Sequence, residues 1–561
     1  MIFESKYPLP EVPKTDVFNY IFHHGRRPYP WSRVLYRVDQ TGETLTLAQL
    51  EEKSRRFADA IRFEYGIMPK DVVGILAQDK IQYPIAYFGA LAAGATVVLI
   101  PAQQELTDTD VVARLTQSET KLLITDSALL DLATSSAHQA STPHLMTLDH
   151  TEHKPYASLD ELLARGQPDA NIFHLTSESS AAAHDAFLNR TSGSTGAVKS
   201  VLTSHAHFIA TMEGTLGTIP ASTDPTHDVW LSPLSLGFFI NAKLHMGLNI
   251  LLGIPVVLMR DGHILDATTV DVVARHRITF LFITPPVAAR LARADLRNID
   301  VRSVKWLLTA GAPMHENLRQ AVSRQFGGVP LDLEWGTSET MLIAVQTDAE
   351  SSRRDGSSGT LVNGMQAKVI STGISTEVEL GAGQAGEILV RNQLCRYRGY
   401  KGNEAANADF DADGWFHTGD YGYLDNDCNV FIVDRIKELL KVGGGYGTHI
   451  SAAELEAVVF EHPAVASVVV VGVRNDFTQL DEPTAFVIPK PGHRAGDGQL
   501  ERDILHFADQ RLTGLRRLTG GVRCLVQFPT TGFKINRRQL KRLGNESLSK
   551  QDTVAGYVQT V

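Results

Sequence analysis

The chain has 561 residues, too many for one ordinary hydrophobic core at roughly 100–200 residues per domain. Its 53 Lys and Arg residues stand against 63 Asp and Glu residues. The resulting net charge of −10 argues against a nucleic-acid or anionic-membrane partner, which would need a basic patch. Three widely separated cysteines predict neither a disulfide framework nor a CxxC metal site, and indicate a reducing compartment: Cys395, Cys428 and Cys524.

Residues 1–16 lack the basic stretch and the apolar stretch of a secretory signal peptide. No apolar run reaches the ~18 residues of a transmembrane helix, and the final residues, VQTV, do not match a peroxisomal SKL-type signal. We therefore expect a cytoplasmic protein that inserts into no membrane and binds no nucleic acid.

Strands and helices alternate through the first three quarters of the chain. Residues 71–78 and 95–101 are short, apolar and rich in β-branched side chains, and residues 81–94 between them have a helical pattern. Two such strands joined by a helix predict a βαβ unit with a parallel sheet, and the same rhythm returns in residues 278–313. This pattern predicts a large domain of α/β layers. Two polar, Ala- or Ser-rich stretches predict exposed loops: residues 176–187 and 350–359.

The pattern changes after the apolar run VFIVDR to a smaller segment. This segment has a predicted helix at 451–462 and a predicted strand at 466–473. We expect a domain boundary near Asp434–Lys437, with a large domain at residues 1–434 and a small α+β domain at residues 435–561.

A glycine- and hydroxyl-rich segment, NRTSGSTGAVKSVLTSH, occupies residues 189–205. Its small residues leave backbone N–H groups exposed and add hydroxyl donors, and Lys199 adds a positive charge, so the segment suits a polyphosphate. It differs from a Walker loop because no glycine directly precedes Lys199. The predicted phosphate-binding residues are Thr191, Ser192, Gly193, Ser194, Thr195 and Gly196.

Five further motifs follow in order: TAGAP at 309–313, EWGTSE at 334–339, GWFHTGD at 414–420, DRIKELLK at 434–441 and TTGFKINRRQL at 530–540. With the phosphate loop they resemble the adenylate-forming superfamily, which includes acyl-CoA synthetases, peptide-synthetase adenylation domains and firefly luciferase. The resemblance runs from about Thr46 to Leu540 and includes the 4-coumarate ligase branch. It implies a large N-terminal ATP- and acyl-binding domain and a small mobile C-terminal domain.

The resemblance implies an ATP site with Mg²⁺. Trp335 offers a flat apolar face for adenine, and Glu339 would bind the metal, because hard Mg²⁺ takes carboxylate and phosphate oxygens together. Asp420 would accept from both ribose hydroxyls, since a carboxylate presents two oxygens. The residues implied at ATP or AMP are Gly311, Ala312, Pro313, Trp335, Gly336, Thr337, Ser338, Asp420 and Arg435, in addition to the phosphate loop.

The resemblance assigns Lys534 to catalysis of the first half-reaction, and it implies that Lys199 and Glu339 are catalytic residues as well. A fixed ammonium stabilises the negative charge that develops as a carboxylate attacks the α-phosphorus of ATP. The second half-reaction, transfer to coenzyme A, implies rotation of the small domain about a hinge at Lys437. The glycine-rich loop that would then line the pantetheine channel contains Gly443, Gly444 and Gly445.

Four departures from the family pattern bear on the acid and the acceptor. Ser235 and Leu236 replace an aromatic-histidine pair, Ser200 replaces the glycine after Lys199, and Phe533 replaces the glycine before the terminal lysine. The loop after Lys441 is longer than usual by a few residues. The predicted acyl pocket is apolar and suits an aryl or medium-chain acid without an α-amine; its predicted residues are Leu236, Phe238, Phe239 and Leu342.

Three functions remain open from the sequence. The first is an acyl- or aryl-CoA ligase that acts on a small carboxylic acid. The second is a stand-alone adenylating enzyme that passes the acyl group to a carrier protein or an amine. The third, a non-catalytic ATP-binding relative, is disfavoured because all the expected charged residues are present: Lys199, Glu339, Asp420, Arg435 and Lys534.

Overall fold

The computed structural model describes residues 1–23, 28–102, 106–150, 155–168, 171–192, 198–259, 265–266, 269–311, 314, 316–348, 352–372, 377–442, 448–475, 480–490, 492–493, 498–531 and 534–545. Its strands are β1 (Ile2–Glu4), β2 (Val34–Val38), β3 (Thr44–Thr46), β4 (Val72–Ala77), β5 (Thr96–Pro101), β6 (Thr120–Thr125), β7 (His144–Thr147), β8 (Asp185–Ser192), β9 (Val198–Ser204), β10 (Trp230–Ser232), β11 (Val256–Leu258), β12 (Phe280–Phe282), β13 (Trp306–Ala310), β14 (Leu331–Trp335), β15 (Ala344–Val345), β16 (Thr360–Leu361), β17 (Met365–Ile370), β18 (Gly386–Asn392), β19 (Phe416–Leu424), β20 (Val430–Arg435), β21 (Leu440–Val442), β22 (Thr448–Ile450), β23 (Val465–Arg474), β24 (Asp481–Pro489), β25 (Val522–Cys524), β26 (Thr530–Thr531) and β27 (Lys534–Ile535).

Its α-helices are α1 (Val17–His23), α2 (Leu47–Tyr65), α3 (Tyr83–Ala92), α4 (Asp108–Ser118), α5 (Leu130–Gln139), α6 (Leu159–Arg165), α7 (Glu178–Ala183), α8 (His205–Leu216), α9 (Phe239–Lys243), α10 (Asn249–Leu252), α11 (Asp271–His276), α12 (Pro285–Leu291), α13 (Glu316–Gln325), α14 (Glu404–Asn407), α15 (Ala452–Phe460) and α16 (Gly498–Asp509). One turn of π-helix, Leu244–Leu248, joins α9 to α10. Short 3₁₀ turns lie at Ser127–Leu129 and Gly514–Arg516. Within the described residues no helix combines the length and the apolarity needed to cross a membrane.

Two mostly parallel sheets form the large domain. One has six strands in the order β7-β6-β4-β5-β8-β9, and the other has nine in the order β16-β15-β14-β13-β12-β10-β11-β2-β3. The predicted βαβ unit is present, because β4 and β5 pair in parallel and α3 joins them. The second predicted unit is also present, with β12 parallel to β13 and α12 between them along the chain.

Alternating apolar side chains stack these sheets into layers. In β4, Val73 and Ile75 enter the main core with α3, whereas Val72 and Leu76 pack on the opposite face in a cluster with α4 and α5. The nine-stranded sheet is likewise covered on both faces, with Leu281 among residues of α11, α12 and α13. Strands β4 and β12 are therefore apolar throughout, as parallel strands that are covered on both faces are.

Helix α3 lies in the middle layer, and all its residues are buried. It packs against α2 at a close approach around Gly89. A Cβ added at Gly89 would lie 2.5 Å from Phe57 Cδ1, so this contact admits no side chain without displacing Phe57. The two helices therefore fix the spacing of the sheets on either side.

A five-stranded antiparallel sheet, in the order β1-β17-β18-β19-β20, packs beside these layers. Strand β19 alternates buried and half-buried residues along its length, the pattern of a sheet with one face on the core. It carries the predicted ribose motif, which ends at Asp420 and is opposed by Arg435 of β20. The sheet thus brings two predicted site residues into register.

The C-terminal region has its own three-stranded sheet, β23-β24-β25, and its own core with α15 and α16. Ser451 caps α15, and Asp434 Oδ2 accepts hydrogen bonds from the Ala452 amide at 2.9 Å and from Ser451 Oγ at 3.0 Å. A carboxylate at a helix N-terminus is favourable because of the free N–H groups there. Asp434 therefore links the end of β20 to the first helix of the small domain.

The predicted C-terminal helix and strand are confirmed as α15 and β23. The loop predicted at 176–187 is wrong, because it contains α7 and the start of β8. There Ser177 and Ser180 form a capping box, in which the side chain of each accepts a hydrogen bond from the backbone amide of the other. Ala181, the next residue of the helix, is buried. The loop predicted at 350–359 is only partly exposed, since Ser352 and Ser357 are buried by hydrogen bonds to neighbouring backbone.

Candidate active site

The predicted phosphate segment lies at the edge of the six-stranded sheet. Strands β8 and β9 form an antiparallel pair in which Thr191 opposes Lys199. The strand edge beyond β9 continues through backbone hydrogen bonds from Leu202 to Gly399 and from Lys401 to Ser200, both at 2.9 Å. Because of these bonds, the residue between Gly399 and Lys401 is brought against the base of the predicted loop.

That residue is Tyr400, and it contacts two predicted catalytic residues. Its hydroxyl donates to Glu339 Oε1 at 2.6 Å. Its ring lies under Lys199, whose Nζ is 4.4 Å from the ring centroid and 3.1 Å from Asp409 Oδ2. Burial and then the charge of Glu339 raise the pKa of the Tyr400 hydroxyl, so it stays protonated and serves as a donor.

The turn after β14 sets the position of the Glu339 carboxylate. The Thr337 hydroxyl accepts from the Glu339 amide at 3.2 Å, and the Thr340 hydroxyl accepts from the Thr337 amide at 3.1 Å. Gly336 permits the tight return of the chain, because a Cβ there would lie 2.2 Å from the Met341 carbonyl oxygen. The carboxylate is therefore held on a backbone braced by local hydrogen bonds.

Trp335, Asp420 and Arg435 form the second cluster. The indole Nε1 donates to Asp420 Oδ2 at 2.9 Å, and Arg435 Nε lies 2.6 Å from Asp420 Oδ1. Burial raises the pKa of the Asp420 carboxyl, while Arg435 and the indole N–H oppose that rise and the charge of Glu339 adds to it. Trp335 ends β14 and Glu339 lies four residues later in the following turn, so the two clusters share one short segment of the chain.

The predicted hinge residue follows the five-stranded sheet, and the predicted terminal lysine lies close to the C-terminal end of the described residues. Lys437 is exposed, in the turn between β20 and β21, and the preceding Ile436 amide donates to the Gly419 carbonyl at 2.9 Å. The backbone of Lys534 begins β27, in a hairpin with β26.

Gly311 follows the end of β13, and Ser338 is half-buried in the turn after Trp335. Several other predicted residues fall outside what the structure describes. The side chains of Ser192 and Lys534 are outside the described part of the chain. So are these whole residues: Gly193, Ser194, Thr195, Gly196, Ala312, Pro313, Phe533, Gly443, Gly444 and Gly445.

Three of the four predicted acyl-pocket residues pack in or against the main core. Leu236 and Leu342 are buried, and Phe239 is half-buried, with its ring 5.4 Å from that of Phe187. Phe238 is half-buried and caps the start of α9. Their role as an acyl pocket stays a prediction.

A buried acid orders the segment that carries Leu236. The Leu236 amide donates to Asp79 Oδ1 at 2.7 Å, across 157 positions of sequence. Burial raises the pKa of Asp79 to about 7, against the hydrogen bonds from Leu236 and Ser235, which lower it. Sequence reasoning missed Asp79, because a lone aspartate after a strand carries no pattern.

A charged pair also lies among these apolar residues. Lys243 Nζ is 2.5 Å from Glu334 Oε2, and the two side chains are 1% and 3% exposed. Burial lowers the pKa of the Lys243 ammonium, and the charge of Glu334 opposes that fall. The available signal was a lysine in the stretch NAKLHMGLN, which contains no Asp, Glu or Arg.

Two family models match the chain. The model of the AMP-binding enzyme matches residues 23–401, and the model of the AMP-binding enzyme C-terminal domain matches residues 454–532. The chain belongs to the AMP-binding enzyme family. Among curated proteins this AMP-binding enzyme is similar to 4-coumarate–CoA ligase 3 of Arabidopsis thaliana, with 29% identity over 528 residues that cover 92% of this chain and 89% of the relative.

Solved structures of adenylate-forming ligases share the fold. The anthranilate CoA ligase AuaEII in complex with anthranoyl-AMP superposes with a TM-score of 0.81 at 21% identity, over 96% of this chain and 99% of that one. The amide bond synthetase McbA from Marinactinospora thermotolerans superposes with a TM-score of 0.78 at 20% identity, over 94% and 99%. The same architecture is thus found in proteins named for more than one acceptor chemistry.

The described residues of this AMP-binding enzyme fit a nucleotide with its metal. They contain no group of three or more His, Cys, Asp and Glu side chains arranged to enclose a metal ion. A Mg²⁺ held by ATP needs only one or two carboxylates, and Glu339 accepts from Tyr400 through Oε1 alone, which leaves Oε2 for the metal. Asp420 and Arg435 offer an acceptor and a cation at one point.

Asp79→Asn should flatten the pH dependence of stability. The variant keeps an acceptor for the Leu236 amide and removes the charge. With a folded pKa of about 7 against the ordinary 3.8, the folded enzyme binds more protons than the unfolded chain between these values, so stability falls as pH rises through them. A pKa difference of about 3 corresponds to at most roughly 4 kcal/mol. Melting temperatures of both proteins between pH 5 and 8 measure this; parallel curves would contradict it.

Proposed function

We propose that this enzyme activates an aryl or medium-chain carboxylic acid with ATP and then transfers the acyl group to the thiol of coenzyme A. The observation that carries the proposal is the meeting of the two clusters: Trp335, bonded to Asp420, and Glu339, bonded to Tyr400, lie four residues apart in one segment of the chain. An aromatic surface, a ribose acceptor and a metal-binding carboxylate at one point suit ATP. The match of both family models supports the adenylation step, and the similarity to a CoA ligase supports the acceptor.

In the first half-reaction a carboxylate oxygen of the acid bonds to the α-phosphorus of ATP, and the bond from that phosphorus to pyrophosphate breaks. Pyrophosphate leaves with the electron pair. Mg²⁺ on Glu339 would offset phosphate charge when bound. In our proposal Lys199 and Lys534 stabilise the charge that grows on the reacting oxygens, because positioned cations in a partly buried site act most strongly in the transition state.

Asp420 would hold the ribose. Its Oδ1 is paired with Arg435, whose side chain is 53% exposed. Arg435 can leave Asp420 only when another donor takes its place, because Asp420 is 4% exposed and a buried carboxylate is costly unless it is hydrogen-bonded. A ribose hydroxyl would then donate to Oδ1, and Arg435 would turn to the phosphate, where its planar donors also fit.

In the second half-reaction the thiolate of coenzyme A bonds to the acyl carbon, and the bond from that carbon to AMP breaks. We propose that residues 435–561 rotate relative to residues 1–434 about Lys437 to admit the thiol, with Gly443, Gly444 and Gly445 along the channel. We also propose that the enzyme is located in the cytoplasm.

A second candidate acceptor is an amine or a carrier protein, and two observations favour it. Ser235 and Leu236 stand where the family has an aromatic-histidine pair, and one solved neighbour with the same fold is named an amide bond synthetase. Coenzyme A and these acceptors would use the same adenylate, so the first half-reaction does not distinguish them.

Acceptor competition tests the proposed function. Enzyme preloaded with acyl-adenylate is mixed with coenzyme A, pantetheine, a carrier protein bearing its pantetheine arm, or a primary amine. We expect coenzyme A to discharge the adenylate at least about tenfold faster than pantetheine, because the nucleotide part adds binding energy to the transition state. Release of AMP and acyl product is followed by chromatography. Amide or carrier thioester without acyl-CoA would establish the second candidate.

Lys534→Ala should lower adenylate formation by about 10²–10³ or more, because one well-placed charge is worth that much in the transition state. Pyrophosphate exchange measures this step. Conversion of synthetic acyl-adenylate to thioester should fall far less. Lys541→Ala is the matched control, since this nearby lysine lies 3.9 Å from Glu438 and is assigned no role. Normal exchange in Lys534→Ala would refute the assignment.

Tyr400→Phe should lower kcat/KM for ATP about 10- to 100-fold, because it removes one hydrogen bond to a charged group and keeps the ring under Lys199. The loss should be steepest at low Mg²⁺ if the hydroxyl positions Glu339. Tyr423→Phe is the control, since Tyr423 stacks on Phe431 with ring centroids 4.7 Å apart. Equal kcat/KM in both variants at every Mg²⁺ concentration would rule out this role for Tyr400.

A further inference from the structure

The buried Lys243–Glu334 pair leaves donors unused. An ammonium carries three N–H groups, and in the described part of the chain Glu334 is the one acceptor within hydrogen-bonding distance of Lys243 Nζ. Lys243 is 1% exposed, so water reaches it poorly. A buried donor without an acceptor is costly, which makes this ammonium receptive to an acceptor on a bound molecule.

The pair is close to the predicted acyl-pocket residues along α9 and to the predicted adenine surface along β14. Lys243 follows Phe239 by four positions in α9, so the two side chains lie on one face of the helix. Glu334 directly precedes Trp335 in β14 and opposes Ala310 of β13, beside Gly311. The acid's tail, running from the nucleotide toward the apolar residues, would pass this pair.

The backbone around Lys243 is held firmly. Asn241 Nδ2 donates to the carbonyls of Leu234 at 3.0 Å and Ser235 at 2.9 Å, and its Oδ1 lies 2.7 Å from His245 Nδ1. The π-helix Leu244–Leu248 begins directly after Lys243. Single π-helical turns are frequent at functional sites, where they redirect side chains.

Stability alone does not account for the pair. Replacement of a buried ion pair by apolar residues of similar volume is often neutral or stabilising, because the desolvation cost offsets the attraction. The surrounding residues are apolar, and they include Ala242 and Leu244 on either side of Lys243. An apolar pair would therefore pack here without loss.

We propose that Lys243, held by Glu334, selects acids whose tail carries a neutral hydrogen-bond acceptor, such as a carbonyl, ether or ring-nitrogen group. This inference rests on the proposed acid activation. Glu334 already balances the ammonium charge, so a second carboxylate would bring net negative charge beside Glu334. A cationic amine would be repelled by Lys243. A neutral acceptor takes a free N–H and adds no charge.

The test uses acids that differ only by oxygen for methyl: 4-acetylbenzoate against 4-isopropylbenzoate, and 6-oxoheptanoate against 6-methylheptanoate. Pyrophosphate release with ATP gives kcat/KM for each, and terephthalate tests the charge argument. We expect the wild type to prefer the oxo acid of at least one pair by about 10- to 100-fold, mostly through KM, and to reject terephthalate.

The double variant Lys243→Met with Glu334→Leu should lose or reverse that preference, measured as the ratio of kcat/KM for the oxo acid to kcat/KM for the matched methyl acid. A purely structural pair would instead leave the preference unchanged and lower the melting temperature. The inference is overturned if the wild type shows no preference for the oxo acids, a result that does not require any variant to fold. It is also overturned if the double variant keeps the preference. Equal turnover of the oxo and the methyl acid in both pairs would overturn this inference alone. The absence of pyrophosphate release with any acid would overturn the proposed function as well.

Discussion

The buried carboxylate of Asp420 receives the Trp335 indole N–H on one oxygen and the Arg435 guanidinium on the other. Trp335 ends β14 of the nine-stranded sheet, and the other two residues oppose each other on β19 and β20 of the five-stranded sheet. A buried charge is costly unless it is paired and hydrogen-bonded. These sheets must therefore meet at a fixed distance, and the rest of the site depends on that junction.

The third sheet joins through Tyr400. Its hydroxyl reaches Glu339, four residues beyond Trp335, and its ring supports Lys199 at the edge of the six-stranded sheet. Each contact pairs a charge with a dipole or an opposite charge, so none is left buried alone. Small changes at one sheet would consequently alter the spacing of Lys199 from Glu339, which is the spacing that an activated phosphate would occupy in the proposed reaction.

Local sequence predicted what depends on local physics. Continuous apolar runs predicted β4 and β5, because parallel strands covered on both faces need no polar alternation. The motifs predicted Trp335 and Asp420, whereas Tyr400 and the Lys243–Glu334 pair went unseen. Those contacts join residues 61 and 91 positions apart, and no periodicity in a single sequence reports such a pairing. Residues 176–187 were wrongly predicted as loop because Ser-rich composition concealed a capping box.

Two carboxylate–cation pairs, Asp420–Arg435 and Glu334–Lys243, differ in exposure, and this difference suits them to different tasks. The Arg435 side chain is 53% exposed, so solvent can replace Asp420 as its partner, and a ligand donor that enters between them would take the place of Arg435 at the buried carboxylate. Lys243 is 1% exposed, and breaking its pair would leave two buried charges uncompensated. The first pair can therefore open and close during a reaction cycle. The Lys243–Glu334 ion pair must stay intact. In our proposal a bound acid adds a further hydrogen-bond acceptor to the Lys243 ammonium, beside Glu334.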